Sequence, residues 1–294
     1  MQTSANFQEL LEPKFRKIFF DAYDELPEQY SDVFQVKSSK KAREYDFHMA
    51  GTGLWDVKNP GQNINEEDMA KGSEVSYVHQ AYAKMIQVER EFADDDLYGV
   101  VEKLPRQLGI GGRATVEITA AAILNNAFTV NGYDGVPLFS DSHPVIKGGV
   151  ADNLMTASAL NDTNLKTGIT MMRTNMVTEE GLKMQARAKK LVVPPELEFT
   201  ALTLLQSTGV VGSANNDTNV IRGRLTPVVL DYLTDTNAWF LTDPNIAQLI
   251  FFWRVKPEFK QSENFDGMVA KYRGYLRFSV GYSDWRGIIG NAGA

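Results

Sequence analysis

The first apolar pattern along the chain repeats every three to four residues, which is the spacing of one face of a helix. It runs from Phe7 to Tyr23 and predicts an amphipathic N-terminal helix. Pro13 lies inside this segment and is expected to break the helix or to start it, because proline lacks the backbone N–H that a helix interior requires. The apolar stripe consists of Leu10, Leu11, Phe15, Ile18, Phe19 and Tyr23.

A long strand pattern covers residues 73–92, which are rich in β-branched and aromatic residues and contain neither Gly nor Pro. The alternation places Val75, Tyr77 and His79 on one face. It then shifts at Tyr82, which predicts a bulge or a change of neighbouring strand between the two halves. The preceding residues 49–72 are polar and rich in Gly, and they predict a long exposed loop.

The length of this strand pattern has a consequence for assembly. Twenty residues of uninterrupted strand would span about 65 Å, whereas a compact globule of this chain length has a radius of gyration of about 19 Å. Because isolated hairpins are marginally stable in water, a ribbon that projects so far predicts a second subunit beneath it.

The remaining patterns predict a mixed α and β protein. Residues 113–128 form the strongest helical pattern, and residues 161–176 form a second one with a polar cap. The strand 191–193, the turn at Pro194 and Pro195 and a helix over 197–207 predict a small α/β module. A surface loop is expected at 209–218, one or two strands within 225–240, and longer strands over 247–255 and 268–282.

Composition narrows the possible functions. The 294 residues are 43% hydrophobic and 23% charged, as in ordinary globular proteins, and no window reaches the roughly 18 apolar residues of a membrane span. The start shows no export signal, so we expect the protein to be made in the cytoplasm. The net charge of −7 argues against a protein whose main task is gripping nucleic acid. A local basic run is predicted to be a solvated arm, with contact to DNA or an acidic surface as the alternative: Lys37, Lys40, Lys41 and Arg43.

Metal and cofactor sites are not predicted. Cysteine is absent and the three histidines are scattered, which excludes disulfides and sulfur-ligated zinc. Asp94, Asp95 and Asp96 suit the start of a helix better than a metal site, because no EF-hand spacing surrounds them. Gly109, Gly111 and Ala114 fit a loose dinucleotide motif, but a charged segment with a proline precedes them instead of a buried strand, so a helix kink is predicted there.

The segment from Gly132 to Pro144 contains Ser140, Ser142 and His143, the residue types of a serine hydrolase. It lacks the Gly-x-Ser-x-Gly elbow, and a histidine one residue after a serine cannot easily aim its ring at that hydroxyl. A rigid turn explains the same residues, with side chains bonding nearby backbone amides. The hydrolase hypothesis remains an alternative of a different class.

Two stretches give the chain a specific resemblance. Ala122 to Phe128, followed by Asp134 to Pro144, resembles the major capsid proteins of tailed phages, in the branch of Mu-like head subunits with the Hong Kong phage capsid fold. Tyr82 to Asp96 resembles the returning strand of the extended loop in that family, and Phe251 to Gly287 resembles its closing strands.

The resemblance implies an α+β fold in four parts. These are an N-terminal arm at 1–45, an extended β-hairpin loop at 46–92, an axial α/β domain at 156–240, and a peripheral domain with a long spine helix at 93–155 and 241–294. Hexamers and pentamers of this chain would form an icosahedral shell around double-stranded DNA. The implied location is the virion, assembled in the host bacterial cytoplasm, and no enzymatic activity, cofactor or membrane contact is implied.

The implied partners are other copies of the chain, a scaffolding protein, a portal and a decoration protein, with packaged DNA contacted non-specifically. No helical scaffolding segment is recognised before the arm, so a separate scaffold or an upstream cleaved segment is expected. A cellular shell of the encapsulin kind is the alternative with the same fold.

Contacts between subunits are expected mainly from the extended loop. Some relatives link this loop to a neighbour by a Lys to Asn bond, but their motif is not matched around Lys58, Asn59 and Asn63, so no crosslink is predicted. The residues expected to contact a neighbouring subunit are Trp55, Lys58, Tyr77 and Tyr82.

Overall fold

The computed structural model describes residues 4–64, 66, 70–89, 91, 95, 99–147, 149–210, 217–264 and 269–294. Its helices are α1 (Ser4–Glu25), α2 (Tyr30–Val33), α3 (Val100–Asn125), α4 (Asp162–Thr174) and α5 (Glu198–Gln206). Its strands are β1 (Gln35–Ser38), β2 (Arg43–Ala50), β3 (Ala70–Val78), β4 (Gln80–Glu89), β5 (His143–Val145), β6 (Gly149–Ala151), β7 (Lys190–Val193), β8 (Thr226–Val229), β9 (Trp239–Thr242), β10 (Leu249–Asn264), β11 (Val269–Tyr282) and β12 (Ile288–Asn291).

The main sheet has the order β1-β10-β11-β4. Its centre is the long antiparallel hairpin of β10 and β11, and β1 joins the edge in parallel. Helices α1 and α3 pack against one face, where aromatic side chains fill the space between helix and sheet. This packing gives the sheet one apolar face, whose buried rings include Phe251, Phe259, Tyr272 and Phe278.

Helix α3 is longer than the sequence predicts. It begins at Val100 rather than near 113, and it continues through Pro105, Gly109 and Gly111. Gly109 lies where α1 crosses, and a Cβ added there would meet the carbonyl oxygen of Phe19 at 2.3 Å. The glycine therefore serves close helix packing, and the loose dinucleotide motif lies inside a helix.

The expectation that Pro13 interrupts the first helix is wrong, because α1 continues through it. Tertiary packing stabilises the helix, because the rings of Phe15 and Phe19 are buried against Tyr272 and Phe259 of the main sheet. Packing of an apolar stripe contributes more to helix stability than local propensity does.

The predicted shift in the long strand pattern is confirmed, and it occurs at His79. Strand β3 ends at Val78 and pairs with β2, whereas β4 begins at Gln80 and pairs with β11. The predicted ribbon is therefore two elements, and only the β2–β3 hairpin leaves the main sheet. The predicted loop over 49–72 is wrong at its edges, because β2 extends to Ala50 and β3 starts at Ala70.

A second sheet has the order β12-β9-β7-β8 and forms the predicted small α/β module with α4 and α5. Asn161 caps α4 as expected, since its side chain accepts a hydrogen bond from the backbone N–H of Asn164. Strand β12 pairs with β9, so the C-terminal strand joins this module instead of the main sheet. The predicted boundary at residue 240 falls inside β9, and the boundary at 45 falls inside β2.

Candidate functional site

The segment after α3 is held by a buried histidine. His143 is fully buried, its Nδ1 lies 2.6 Å from Asp134 Oδ2, and its ring stacks on Trp285 at 4.3 Å. Its Nε2 lies 3.2 Å from the carbonyl oxygen of Leu138 and 3.1 Å from Asn153 Oδ1. Both ring nitrogens are thus occupied by acceptors from the chain itself.

The serines of this segment bond to each other and to the backbone. Ser140 Oγ lies 3.2 Å from Ser142 Oγ and accepts the backbone N–H of Ser142. The backbone N–H of Ser140 in turn donates to Asn153 Oδ1 at 3.0 Å. Asp134 and His143 do form an Asp–His pair. However, the other ring nitrogen of His143 faces the carbonyl oxygen of Leu138 and the amide oxygen of Asn153, so the hydrolase hypothesis lacks an activated serine.

A buried charge cluster adjoins this segment, which we call the connector because it joins α3 to β5. Arg286 is 2% exposed and bonds to Asp284 at 3.1 Å, to Glu179 at 3.0 Å, and to the carbonyl oxygen of Val177. Burial by itself would lower the pKa of Arg286, but the carboxylates of Asp284 and Glu179 outweigh it and hold that pKa above its ordinary value. Burial also raises the pKa of the Tyr133 hydroxyl, which donates to Asp284.

The two strands of the β2–β3 hairpin are attached to this cluster. His48 of β2 stacks on Tyr133 at 4.8 Å with an interplanar angle of 7°, and its Nε2 contacts the carbonyl oxygen of Ser283. Tyr77 of β3 reaches the same residue, with its hydroxyl 2.7 Å from Ser283 Oγ. Both strands of the hairpin are therefore anchored to the end of β11.

A second attachment lies just beyond β2. The backbone N–H of Gly51 donates to the carboxylate of Glu180, and Lys147 Nζ lies 3.5 Å from the Gly51 carbonyl oxygen. The hydrogen bond from Thr178 is the largest cause that lowers the pKa of Glu180 below its ordinary value, and the Gly51 bond adds to it. Glu180 thus remains a carboxylate that holds the hairpin.

A third polar cluster marks the break between β3 and β4. His79 is 4% exposed, with Nε2 3.1 Å from Ser39 Oγ and Nδ1 2.9 Å from Ser279 Oγ. Ser39 Oγ donates onward to Glu44 at 2.6 Å. Burial lowers the pKa of His79, and the nearby Arg277 lowers it further. This cluster joins β2, β11 and the start of β4 at the point where the hairpin leaves the sheet.

The hairpin exposes apolar side chains to solvent. Strand β2 alternates, but with the polarity reversed from that of a half-buried strand. Apart from Arg43, its outward residues are apolar, and its inward residues are mainly polar. The loop beyond continues this surface. The exposed apolar residues are Tyr45 (51%), Phe47 (52%), Met49 (58%), Leu54 (79%), Trp55 (93%), Val57 (88%) and Ile64 (76%).

The four residues predicted to contact a neighbour fall into two groups. Trp55 and Lys58 are exposed on the hairpin loop, as that prediction requires. Tyr77 is 4% exposed inside its own chain, and Tyr82 stacks on Phe278 at 4.9 Å. These two rings already have packing partners within their own subunit, and their contact with a neighbouring subunit stays a prediction. The sequence offered no signal for His48 or Glu180, whose roles depend on distant partners.

The described residues contain neither a metal-ligand cluster nor a helix suited to cross a membrane. In the described ranges, no group of three or more His, Cys, Asp or Glu is arranged to hold a metal ion. Asp95 lies in those ranges, whereas Asp94 and Asp96 lie outside the described residues. None of the helices that the structure describes combines the length and apolar character needed to cross a membrane.

Comparisons with known proteins point in one direction. The model of a phage capsid protein family matches residues 72–291. The major head subunit of the Mu-like prophage FluMu of Haemophilus influenzae is 27% identical over 160 residues, which is 53% of this chain and 49% of that protein. The alignment therefore spans about half the length of this curated relative.

Solved structures show the same fold. The capsid of cyanophage P-SCSP1u gives a TM-score of 0.62 at 11% identity, covering 90% of this chain and 88% of that chain. The procapsid of bacteriophage JBD30 gives 0.54 at 18% identity, covering 98% and 75% respectively. The JBD30 capsid decorated with minor capsid protein trimers gives 0.58 at 16% identity, covering 71% and 92%. The predicted α+β capsid fold is confirmed.

Proposed function

This chain belongs to the phage capsid protein family, and on that premise we propose that it is the major head subunit of a tailed phage. Copies of the chain would associate as hexamers and pentamers and close into an icosahedral shell around double-stranded DNA. The observation that carries this proposal is the β2–β3 hairpin, whose strands are attached to the rest of the chain and whose outward face is mainly apolar.

The outward face of the hairpin exposes apolar surface to water, which is unfavourable for a protein that remains monomeric. Monomeric soluble proteins seldom expose contiguous apolar surface beyond a few hundred Å², and larger patches mark interaction sites. Trp55 is 93% exposed at the end of the hairpin, and Phe47 and Met49 continue the surface along β2. Contact with another copy would remove these side chains from water.

The attachment of the hairpin supports the same role. His48 and Tyr77 hold its two strands to Ser283, and Glu180 holds Gly51. An interface element that is already ordered loses less conformational entropy on binding than a flexible loop does. The hairpin is therefore suited to present one surface to each neighbouring subunit.

The finer parts of the proposal follow the family resemblance. We propose a separate scaffolding protein, a portal and a decoration protein as partners, non-specific contact with packaged DNA, and assembly in the host bacterial cytoplasm. The division into an arm, an extended loop, and peripheral and axial domains is proposed in outline. The main sheet with α3 would form the peripheral domain, and the module around β7 would form the axial domain.

The two alternatives have less support. A cellular shell around an enzyme cargo would use the same fold, but the family match and the Mu-like relative favour a phage head. A serine hydrolase would need a serine within reach of His143, and the ring nitrogens of His143 instead contact Asp134, Leu138 and Asn153.

Assembly of the purified protein tests the proposal. The chain would be produced alone and together with the scaffolding protein from the same gene cluster, then examined by size-exclusion chromatography and negative-stain electron microscopy. We expect capsomers or closed particles of uniform diameter in at least the second preparation. Folded monomers in both preparations would contradict the proposed function.

A further inference from the structure

The two ends of the β2–β3 hairpin meet where the chain leaves the main sheet. The chain passes from β1 into the hairpin at Ser39, and it returns from β3 to β4 at His79. His79 Nε2 lies 3.1 Å from Ser39 Oγ, so the two ends contact each other directly. Both residues are buried, with exposures of 3% for Ser39 and 4% for His79. We call these two residues, with their partners Ser279 and Glu44, the clasp.

The hydrogen bonds of the clasp determine which nitrogen of His79 carries the proton. Ser39 Oγ donates to Glu44 at 2.6 Å, because a carboxylate can only accept. This bond is the largest cause that lowers the pKa of Glu44, which keeps it a carboxylate. A hydroxyl has one proton, so Ser39 Oγ accepts from His79, and the proton is on Nε2. Nδ1 is then an acceptor, and Ser279 Oγ donates to it at 2.9 Å. The clasp is therefore complete when His79 is uncharged.

A second proton on His79 would disturb this arrangement. Once protonated, Nδ1 can only donate, so the Ser279 hydroxyl would have to turn and accept instead. The new charge would also be buried, and burial disfavours the charged form of a histidine. Separation of the two ends of the hairpin would expose His79 to water and remove both penalties.

Two cations of the main sheet increase the penalty. Burial is the largest cause that lowers the pKa of His79, and Arg277 of β11 and Arg254 of β10 lower it further. The Nε of Arg277 donates to the carbonyl oxygen of His79 at 3.4 Å. The Nε of Arg254 is buried and has no hydrogen-bond partner among the described residues. A charged His79 would therefore be repelled by both neighbouring strands.

The charges on β1 and β2 compensate this repulsion only in part. Glu44 of β2 raises the pKa of His79, but its carboxylate is also paired with Lys41 at 3.2 Å. On β1, Lys37 is paired with Phe252, whose ring contacts His79, so Lys37 adds a cation on the same side of the sheet. The charged groups around the clasp therefore include one anion and several cations.

We propose that the clasp is a hinge controlled by one proton: uncharged His79 holds the two ends of the hairpin together, and charged His79 releases them. The pKa of His79 in the closed clasp lies below 6.5, so release occurs as the pH falls below about 6.5. The contacts of the hairpin at Ser283 and Glu180 do not involve His79. Mild acid should therefore loosen the hairpin and leave the main sheet folded. This inference goes beyond the proposed function, because it concerns the single subunit.

Hydrogen exchange of the full-length, unassembled subunit at pH 7.5 and pH 5.5 tests the hinge. Exchange rates are converted into protection factors, which removes the intrinsic effect of pH on exchange. If His79 has its ordinary pKa of about 6.5 in the open hinge, this pH change raises the opening constant by at most about ten-fold. Protection of residues 43–50 and 70–78 should therefore fall by about three- to ten-fold. Protection of residues 258–264 and 269–275 in the main sheet should change by less than about two-fold.

Three variants identify the group that responds. His79→Gln can keep both hydrogen bonds of the clasp, because an amide donates and accepts, but it takes up no proton, so its protection factors should not depend on pH. His48→Gln removes the other histidine of the hairpin and is the matched control, which should retain the response of the wild type. Arg277→Gln keeps His79 but removes one neighbouring cation, so the response should be smaller.

Three results would overturn the inference. These are hairpin protection that does not depend on pH in the wild type, a full response in His79→Gln, and an equal fall of protection in the main sheet, which would indicate global unfolding by acid. Circular dichroism checks folding, and if His79→Gln does not fold, a full response in Arg277→Gln counts against the hinge instead. A subunit that shows the response but forms no particles would contradict the proposed function alone, so the two failures are distinguishable.

Discussion

Single polar side chains fix the backbone around the connector that follows α3. The sequence predicts that Ser140, Ser142 and His143 bond locally, and the serines do so. The strongest partner of His143 is Asp134, nine residues earlier, which sequence spacing alone could not identify. A buried hydrogen-bonded pair is stabilising only while both members are present, because removal of one leaves the other without a partner.

Asp134→Asn should destabilise the protein without changing its shape. The substitution keeps the size of the side chain but removes the charge from the buried contact with His143, and the free energy of unfolding should fall by about 2 kcal/mol. Urea unfolding followed by tryptophan fluorescence measures the change. Asp141→Asn, at an exposed position in the same segment, should remain within about 0.5 kcal/mol of the wild type.

His79 should make stability depend on pH. Its pKa is lowered in the folded state by burial and by Arg277, so between that value and 6.5 the unfolded chain binds more protons than the folded one. Stability therefore falls as the pH falls below about 6.5. His79→Gln should reduce the change in melting temperature between pH 7.5 and 5.5 relative to the wild type. Equal slopes in the two proteins would assign the effect to other groups.

At the scale of elements, tertiary packing keeps α1 and α3 helical at residues where the local sequence predicts an interruption. Pro13, Pro105 and Gly109 are all poor residues for a helix interior, yet both helices continue through them. Gly109 is required because the Phe19 carbonyl of α1 approaches so closely. Gly109 therefore marks a helix contact, which can be recognised only when the partner helix is known.

Two glycine substitutions should have opposite effects. In a helix interior, Gly→Ala normally stabilises by roughly 0.5–1 kcal/mol, and Gly111→Ala should do so because nothing lies within 4 Å of its added Cβ. Gly109→Ala should instead destabilise by about 1–3 kcal/mol, because the new methyl group meets backbone of α1. Chemical denaturation of both variants decides the matter, and stabilisation by both would refute the close crossing.

At the scale of the whole molecule, some aromatic side chains pack in the core of the subunit and others are exposed to solvent. Tyr82 belongs to the first group, since it stacks on Phe278, and Trp55 belongs to the second. The prediction that Trp55 and Lys58 contact a neighbour stays open. For Tyr77 and Tyr82, the structure shows that the rings already have partners within the subunit.

Replacement of Trp55 and of Tyr82 should therefore separate assembly from folding. Trp55→Ser should leave the free energy of unfolding unchanged yet lower the yield of particles, because its ring is 93% exposed in the isolated subunit. Tyr82→Ser should lower the free energy of unfolding by about 2 kcal/mol, since it removes a ring packed on the core. Denaturation curves and particle counts by electron microscopy provide both readouts, and full assembly by Trp55→Ser would contradict its placement at an interface.

The sequence by itself determined the classes of element, the break near His79, the α/β module around β7 and the family, because these depend on local periodicity and on contiguous motifs. Only the tertiary structure decided the continuity of α1 and α3, the pairing of β12 with β9, and the attachment of the hairpin at Ser283 and Glu180. The physical reason is common to these features. Each is set by groups that lie far apart along the chain, and their energies arise from contacts that exist only after the chain has folded.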